Sequence, residues 1–145
     1  MKVTFAHICD YASISREGKL SAMGIFDRIN VLAVPASHPL FYLAFEIELR
    51  PAELGQPFKL GLKLVDVDGG KILETEAEVR FEGTPESPNS LKIPQIVAFG
   101  GMPLQRAGRY SFDIFINGDH KRAAVFDVAV MGTQPGPGQQ ARLQP

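Results

Sequence analysis

The chain has no tryptophan, one cysteine and almost no net charge, and each scarcity removes a class of protein. Cys9 alone cannot close an internal disulfide, so this is no disulfide-stapled scaffold, and a lone thiol suits a reducing cytoplasm. A formal net charge of -1 leaves no electrostatic footprint for nucleic acid or an anionic membrane. No apolar run approaches the ~20 residues of a membrane helix. The opening MKVTFAHICDYA turns polar too early for a signal peptide. The histidines, His7, His38 and His120, are scattered, with no HExxH and no second cysteine for a zinc site. GxGxxG, GxxxxGK[ST] and GxSxG are also missing, so neither a phosphate-cradling loop nor a nucleophile elbow is expected. DVDGG resembles a calcium loop, but counting from Asp66 puts Ala77 where the bidentate glutamate belongs. No cofactor and no metal is expected.

What remains is an ordinary globular composition. With 45% hydrophobic and 21% charged residues, the chain can bury a core and is not a disordered polymer. Period-two alternation dominates, and no window reads as a helix. It predicts eight strands, at about 3–9, 20–29, 41–50, 57–66, 72–82, 91–99, 109–117 and 123–131, joined by Gly/Pro/Asn-rich turns. The expected fold is all-β, a single antiparallel β-sandwich of immunoglobulin-like or jelly-roll type over residues 1–131. The segment 132–145, rich in proline, glycine and glutamine, is expected to be a disordered tail.

Two hairpins carry the register argument. A two-residue turn at Asp68-Gly69 sets Lys63 opposite Glu74, Lys59 opposite Glu78, Leu64 opposite Leu73 and Phe58 opposite Val79, so charge and apolar pairings agree. The second hairpin surrounds the polar knot NGDHKR. Closing it at Asn117-Gly118 alone sets Ile114 opposite Lys121 and turns Asp127 inward. A longer loop, Asn117 to Lys121, sets Ile114 opposite Ala124 and Phe112 opposite Phe126, and that register is expected. Asp119 and His120 then sit at a solvated loop tip, which with Tyr11 forms a candidate loop site.

Cys9 and His7 are the best nucleophile and base on offer, two apart on a strand and sharing a face. A small buried thiol is the plainer reading of Cys9. Asp10-Tyr11 orders a strand end. In FYLAFEIELR, Phe41, Leu43, Phe45, Ile47 and Leu49 share the core face. Leu40, Tyr42 and Ala44 hold the outward parity before Glu46 and Glu48, leaving an apolar upper half, and Phe115 points outward elsewhere. Leu40, Tyr42, Ala44 and Phe115 are therefore the candidate interface. Pro94 blunts its strand against edge pairing. AMGIF (22–26) is apolar on both parities, so that strand is covered on both sides or bulges at Gly24.

At CDYA (9–12), EGKLSAMGIFDRI (17–29) and SHPLFYLAFEIEL (37–49) the chain resembles a family of small bacterial proteins. They carry an ADYA-like strand end, a GK turn, a GIFDRI-like strand and a P-x-x-HP segment, and close on G-x-Y-x-F-x-I, here Gly108–Ile114. The likeness covers about residues 3–130. The family is functionally unassigned, so the resemblance implies a sandwich and transfers no catalytic residue; Cys9 stands where such proteins often have alanine. The expected function is a non-catalytic binding or assembly module, self-associating as a homo-oligomer in the cytoplasm, with no nucleic-acid and no membrane partner. The alternative is a small-ligand or carbohydrate-binding domain.

Overall fold

Alternating apolar residues build eleven strands in this computed structural model, which describes residues 1–83 and 89–131. They are β1 (Lys2–Ile14), β2 (Leu20–Phe26), β3 (Arg28–Val31), β4 (Ala36–His38), β5 (Phe41–Leu49), β6 (Phe58–Val65), β7 (Lys71–Val79), β8 (Leu91–Phe99), β9 (Met102–Leu104), β10 (Gly108–Ile116) and β11 (Asp119–Val130). A 3-10 turn, Pro51–Glu53, follows β5. The all-β expectation holds. The expected disorder of 132–145 lies outside the described residues.

The strands form a four-stranded sheet ordered β2-β1-β5-β8, a five-stranded sheet ordered β3-β11-β10-β6-β7, and a two-stranded clip, β4-β9. Three expectations need correction here. The described residues form eleven strands, not eight, and two of the three additional ones, β4 and β9, are only three residues each, too short for alternation to register. The pairing is not wholly antiparallel: β3 runs parallel to β11. The expected strand 20–29 is two strands divided at Asp27. Phe26 ends the pairing with β1, and Arg28 begins the pairing with β11 in the other sheet. The Asp27 carbonyl at this crossing accepts the Asp127 N–H at 2.8 Å. Asp27 and Arg28 are exposed, so they are not a buried charge pair.

The inner faces of the two larger sheets meet in one core. Phe41 and Phe99 from the four-stranded sheet stack on each other at 5.4 Å and reach Phe112 of β10 at 5.8 and 4.9 Å. Phe45, Ile47, Leu64, Ile114 and Phe126 complete its sealed centre. Burying each such side chain stabilises the fold by roughly 1.5–3 kcal/mol. No polar or charged residue is buried among those described. Tyr110 is buried to its hydroxyl, which donates to the Arg106 carbonyl at 2.6 Å and accepts the Arg106 N–H at 3.2 Å. That bond ties the approach to β10 down onto the core.

Both hairpins use a bulge that alternation alone does not reveal. In β6–β7 the four expected pairings are all present, Lys63 with Glu74, Lys59 with Glu78, Leu64 with Leu73 and Phe58 with Val79. The turn is longer than expected, however. The N–H of Gly69 bonds the Asp66 carbonyl, Gly69 is left-handed at φ 78°, and a register shift between Leu64 and Val65 absorbs the extra residue. The Asp66 carboxylate accepts the N–H groups of Asp68 and Gly70, so DVDGG is a self-capped turn. In β10–β11 the expected register is wrong. The hairpin does close at Asn117-Gly118, both at positive φ, with Ile116 opposite Asp119. A shift after Phe115 then sets Ile114 opposite Arg122, Phe112 opposite Ala124 and Tyr110 opposite Phe126. One extra residue, Lys121, restores inward parity, which satisfies both the turn chemistry and the core.

Candidate functional site

The sequence candidates do not converge; the fold distributes them over two outward sheet faces. Tyr42 and Ala44 alternate with the core residues Phe41, Leu43 and Phe45, so they face away from the core on the four-stranded sheet. Phe115 alternates with Phe112, Ile114 and Ile116, so it faces away from the core on the five-stranded sheet. Sheets packed through their inner faces put these outer faces on opposite sides, and a single interface joining Tyr42 to Phe115 is ruled out by strand order.

The four-stranded face has an apolar half. Ile25, Cys9, Tyr42 and Ala98 lie in one row across all four strands. The Tyr11 ring meets Tyr42 edge-on at 5.4 Å, and Met23 lies opposite Tyr11. Tyr11, Met23, Ile25 and neighbouring Leu40 are 50%, 64%, 56% and 55% exposed, so this half is open to solvent. The opposite half is charged: Lys2, Glu48 and Lys92 form one row, and Thr4 donates to Glu46. Ala44 is only 1% exposed. It sits in a small cluster with Cys9 and Ala12, walled by Tyr42, Leu20, Ala22 and Ile96, so it supports the face and offers no surface. The expected covering of β2 on both sides is corrected by the exposure of Met23 and Ile25. The bulge alternative is corrected as well: β2 keeps one register against β1 from Phe26 to Leu20, and Gly24 turns left-handed at φ 68° without adding a residue.

Cys9 is sealed within that cluster and its thiol donates to the Tyr42 carbonyl at 3.7 Å. Burial, then the neighbouring Asp10 charge, pushes the thiol above its ordinary range, against a backbone hydrogen bond at Tyr11. His7 instead stacks on Phe5 at 5.7 Å. Nothing here activates a nucleophile.

Asp10, Gly24 and His38 come together at one end of the fold. The Asp10 carboxylate leans over Gly24, 2.4 Å from where a Cβ would stand. His38 lies against Phe26 at 5.5 Å and Phe41 at 5.7 Å. Burial holds the imidazole below its ordinary value, partly offset by the Asp10 charge. The half-buried ring pins the β4–β9 clip to the main core.

The loop candidates separate. Tyr11 belongs to the four-stranded face, while Asp119 and His120 begin β11 in the other sheet. His120 Nε2 lies 3.0 Å from Asp113, which also accepts from Ser111 at 2.8 Å, and the imidazole meets Phe115 edge-on at 5.3 Å. Lys63 sits over the Phe115 ring, 5.2 Å from its centre. Phe115 and Lys63 border a hollow of about 170 Å³ beside Gly61 and Glu76. Met23, Ile25 and Gly61 were missed as surface residues. The two-sided apolar pattern of AMGIF signalled the first two, and a glycine within an alternating strand signalled the third. Among the described residues no cluster of His, Cys, Asp and Glu could hold a metal.

Residues 4–129 match a family model described as a family of unknown function, DUF6941. None of the curated proteins matches the sequence. Among solved structures, the chain is similar to Pseudomonas fluorescens alkylpurine DNA glycosylase AlkC bound to DNA containing an abasic site analog, at 15% identity and a TM-score of 0.40. The match covers 86% of this chain and 30% of that one, and at this level it carries no argument about activity.

Proposed function

Because the chain belongs to DUF6941, a family of unknown function, we propose its role from its surface: a non-catalytic assembly module that self-associates. The observation that carries this is the open apolar half-face of Tyr11, Met23 and Ile25 around Tyr42. Together these side chains present apolar surface on the order of a few hundred Å², a size that on a soluble chain marks an interaction surface. The occupant we assign is a second copy, docked face to face about a two-fold axis, so that each apolar half covers the other. The fold fits a β-sandwich of immunoglobulin-like or jelly-roll type, with its two main sheets joined through Phe41, Phe99 and Phe112. The tyrosine bond before β10 resembles the corner of immunoglobulin-like sandwiches. A bacterial cytoplasm is the compartment that suits one free thiol.

Light scattering over a concentration series tests the reading. Wild type should dimerise, Met23→Glu with Ile25→Glu should be a folded monomer, and Phe115→Glu should still dimerise. A wild type that stays monomeric at high micromolar concentration overturns it. The alternative, a small-ligand or carbohydrate domain, draws on a different observation, the hollow beside Phe115.

A further inference from the structure

The outer face of the five-stranded sheet is organised around an opening that self-association does not use. His120, Phe115, Gly61 and Glu76 lie in one row across β11, β10, β6 and β7, and Asp113, Lys63 and Glu74 lie in the next. Gly61 has no side chain to fill the row, and a hollow of about 170 Å³ opens between Phe115 and the two glutamates.

Neither the backbone nor the packing demands glycine at 61. Gly61 is not among the glycines at positive φ. A Cβ there would meet Phe115 Cβ at 3.5 Å and the Thr75 carbonyl at 4.0 Å, both ordinary contacts. No Phe115 ring atom comes within 4 Å of that position, so the ring does not lean over the glycine to cover it. Glycine inside a strand is less stable than alanine there, and a strand glycine often marks a place where another group approaches closely. What Gly61 keeps clear is the approach to the side of Phe115.

The rim selects the ligand class. An anion entering the hollow meets Glu74 and Glu76. A cation is drawn to Glu74 and Glu76 but has to displace the Lys63 ammonium, which already lies over the ring. A wholly apolar ligand would strip water from those charges without replacing its hydrogen bonds. A neutral ligand with an apolar face and several hydroxyls meets none of these penalties. Its C–H face can lie against the side of Phe115 above Gly61, leaving Lys63 over the ring, while its hydroxyls donate to the carboxylates and accept from the Lys63 ammonium. The volume is below the roughly 300–1,000 Å³ of drug-sized sites, which limits the occupant to a single ring. We propose that the hollow bounded by Gly61, Lys63, Glu74, Glu76 and Phe115 is a subsite for one neutral sugar ring.

The test is an amide-resolved NMR titration of the full chain with the methyl glycosides of glucose, galactose, mannose and N-acetylglucosamine. At least one should give saturable shifts in the millimolar range at Gly61, Lys63, Phe115 and Gly118. Gly61→Val fills the hollow with a residue that favours strands, so it should fold with equal or higher stability and weaken binding by at least about tenfold, or ~1.4 kcal/mol. Phe115→Ala should weaken binding as well. The Met23→Glu, Ile25→Glu double variant should bind as wild type, because its substitutions lie on the opposite sheet. Loss of dimerisation and loss of sugar binding are thus read separately. Absence of saturable shifts at these amides with all four glycosides, or undiminished binding by a folded Gly61→Val, overturns the proposal.

Discussion

Lys63 lies directly across from Glu74, yet its ammonium rests over the Phe115 ring and Glu74 bonds Lys71 instead. The same displacement recurs two rows away, where Lys59 lies across from Glu78 and reaches Glu76 at 4.0 Å. Register fixes which backbones are neighbours. Long flexible side chains then settle on whichever partner their rotamers reach most easily. A double-mutant cycle should therefore give about 0.5–1 kcal/mol of coupling between Lys63 and Phe115. The Lys63 and Glu74 cycle should give no measurable coupling. The reverse ranking would show that the cross-strand ion pair forms in solution.

Gly24 and Gly61 should respond oppositely to alanine. Gly24 is left-handed at φ 68°, and a Cβ there would press on the Asp10 carboxylate. Gly24→Ala should lose about 2 kcal/mol or more, since left-handed backbone alone disfavours a side chain by about 1–2 kcal/mol. Removing the Asp10 carboxylate in the same chain should recover part of the loss, a non-additivity expected of groups in contact. Gly61→Ala should be neutral or stabilising. Urea unfolding measures all of these, and equal losses at the two glycines would contradict the geometry.

Tyr110 should be the most valuable hydroxyl in the fold. It is buried, and its hydroxyl holds both backbone groups of Arg106. Tyr110→Phe keeps the ring and its stacking on Phe126, and should lose about 1–2 kcal/mol, the net worth of hydrogen bonds near the core edge. An unchanged unfolding midpoint would mean that water replaces the hydroxyl at no loss.

Cys9 should label slowly. Its thiol is sealed and held in the protonated form by burial and by Asp10, so a thiol probe near neutral pH should modify native chain only as fast as β1 and β5 open. Fast stoichiometric labelling of folded protein would place the sulfur at the surface.

Much of the fold was legible because its physics is local. Alternation in FYLAFEIELR marks which residues face the core, and that assignment holds from Phe41 to Leu49. Paired apolar and charged positions fixed the β6–β7 register for the same reason. Illegible features depend on single residues or on distant partners. A one-residue bulge at Lys121 changes the whole β10–β11 register without altering the apolar pattern of either strand. The division at Asp27 follows from β11, a hundred residues later, being available to β3. Tyr42 and Phe115 looked equivalent as outward aromatics, and only the strand order sends them to opposite sides. Asp10, Gly24 and His38 stood out in three separate motifs, and the fold alone brings these three residues to one end.

His38 should make stability fall in mild acid. The ring is half-buried against Phe26 and Phe41, and burial lowers its proton affinity, with the Asp10 charge opposing in part. With the folded value below the unfolded one, the two states bind protons equally at alkaline pH, where the imidazole is neutral in both. As pH falls through the ordinary histidine range near 6.5, the unfolded chain takes up a proton first, so unfolding becomes easier. The loss continues until pH reaches the lowered folded value and then levels off. Because Asp10 favours the charged ring, Asp10→Asn should enlarge the loss, while His38→Phe should abolish it and leave the carboxylate titrations below. Urea unfolding from about pH 7.5 down to about pH 5 reads the effect as a shift in midpoint. A midpoint that moves with pH identically in wild type and His38→Phe would show that this imidazole is freely solvated and does not pin the β4–β9 clip.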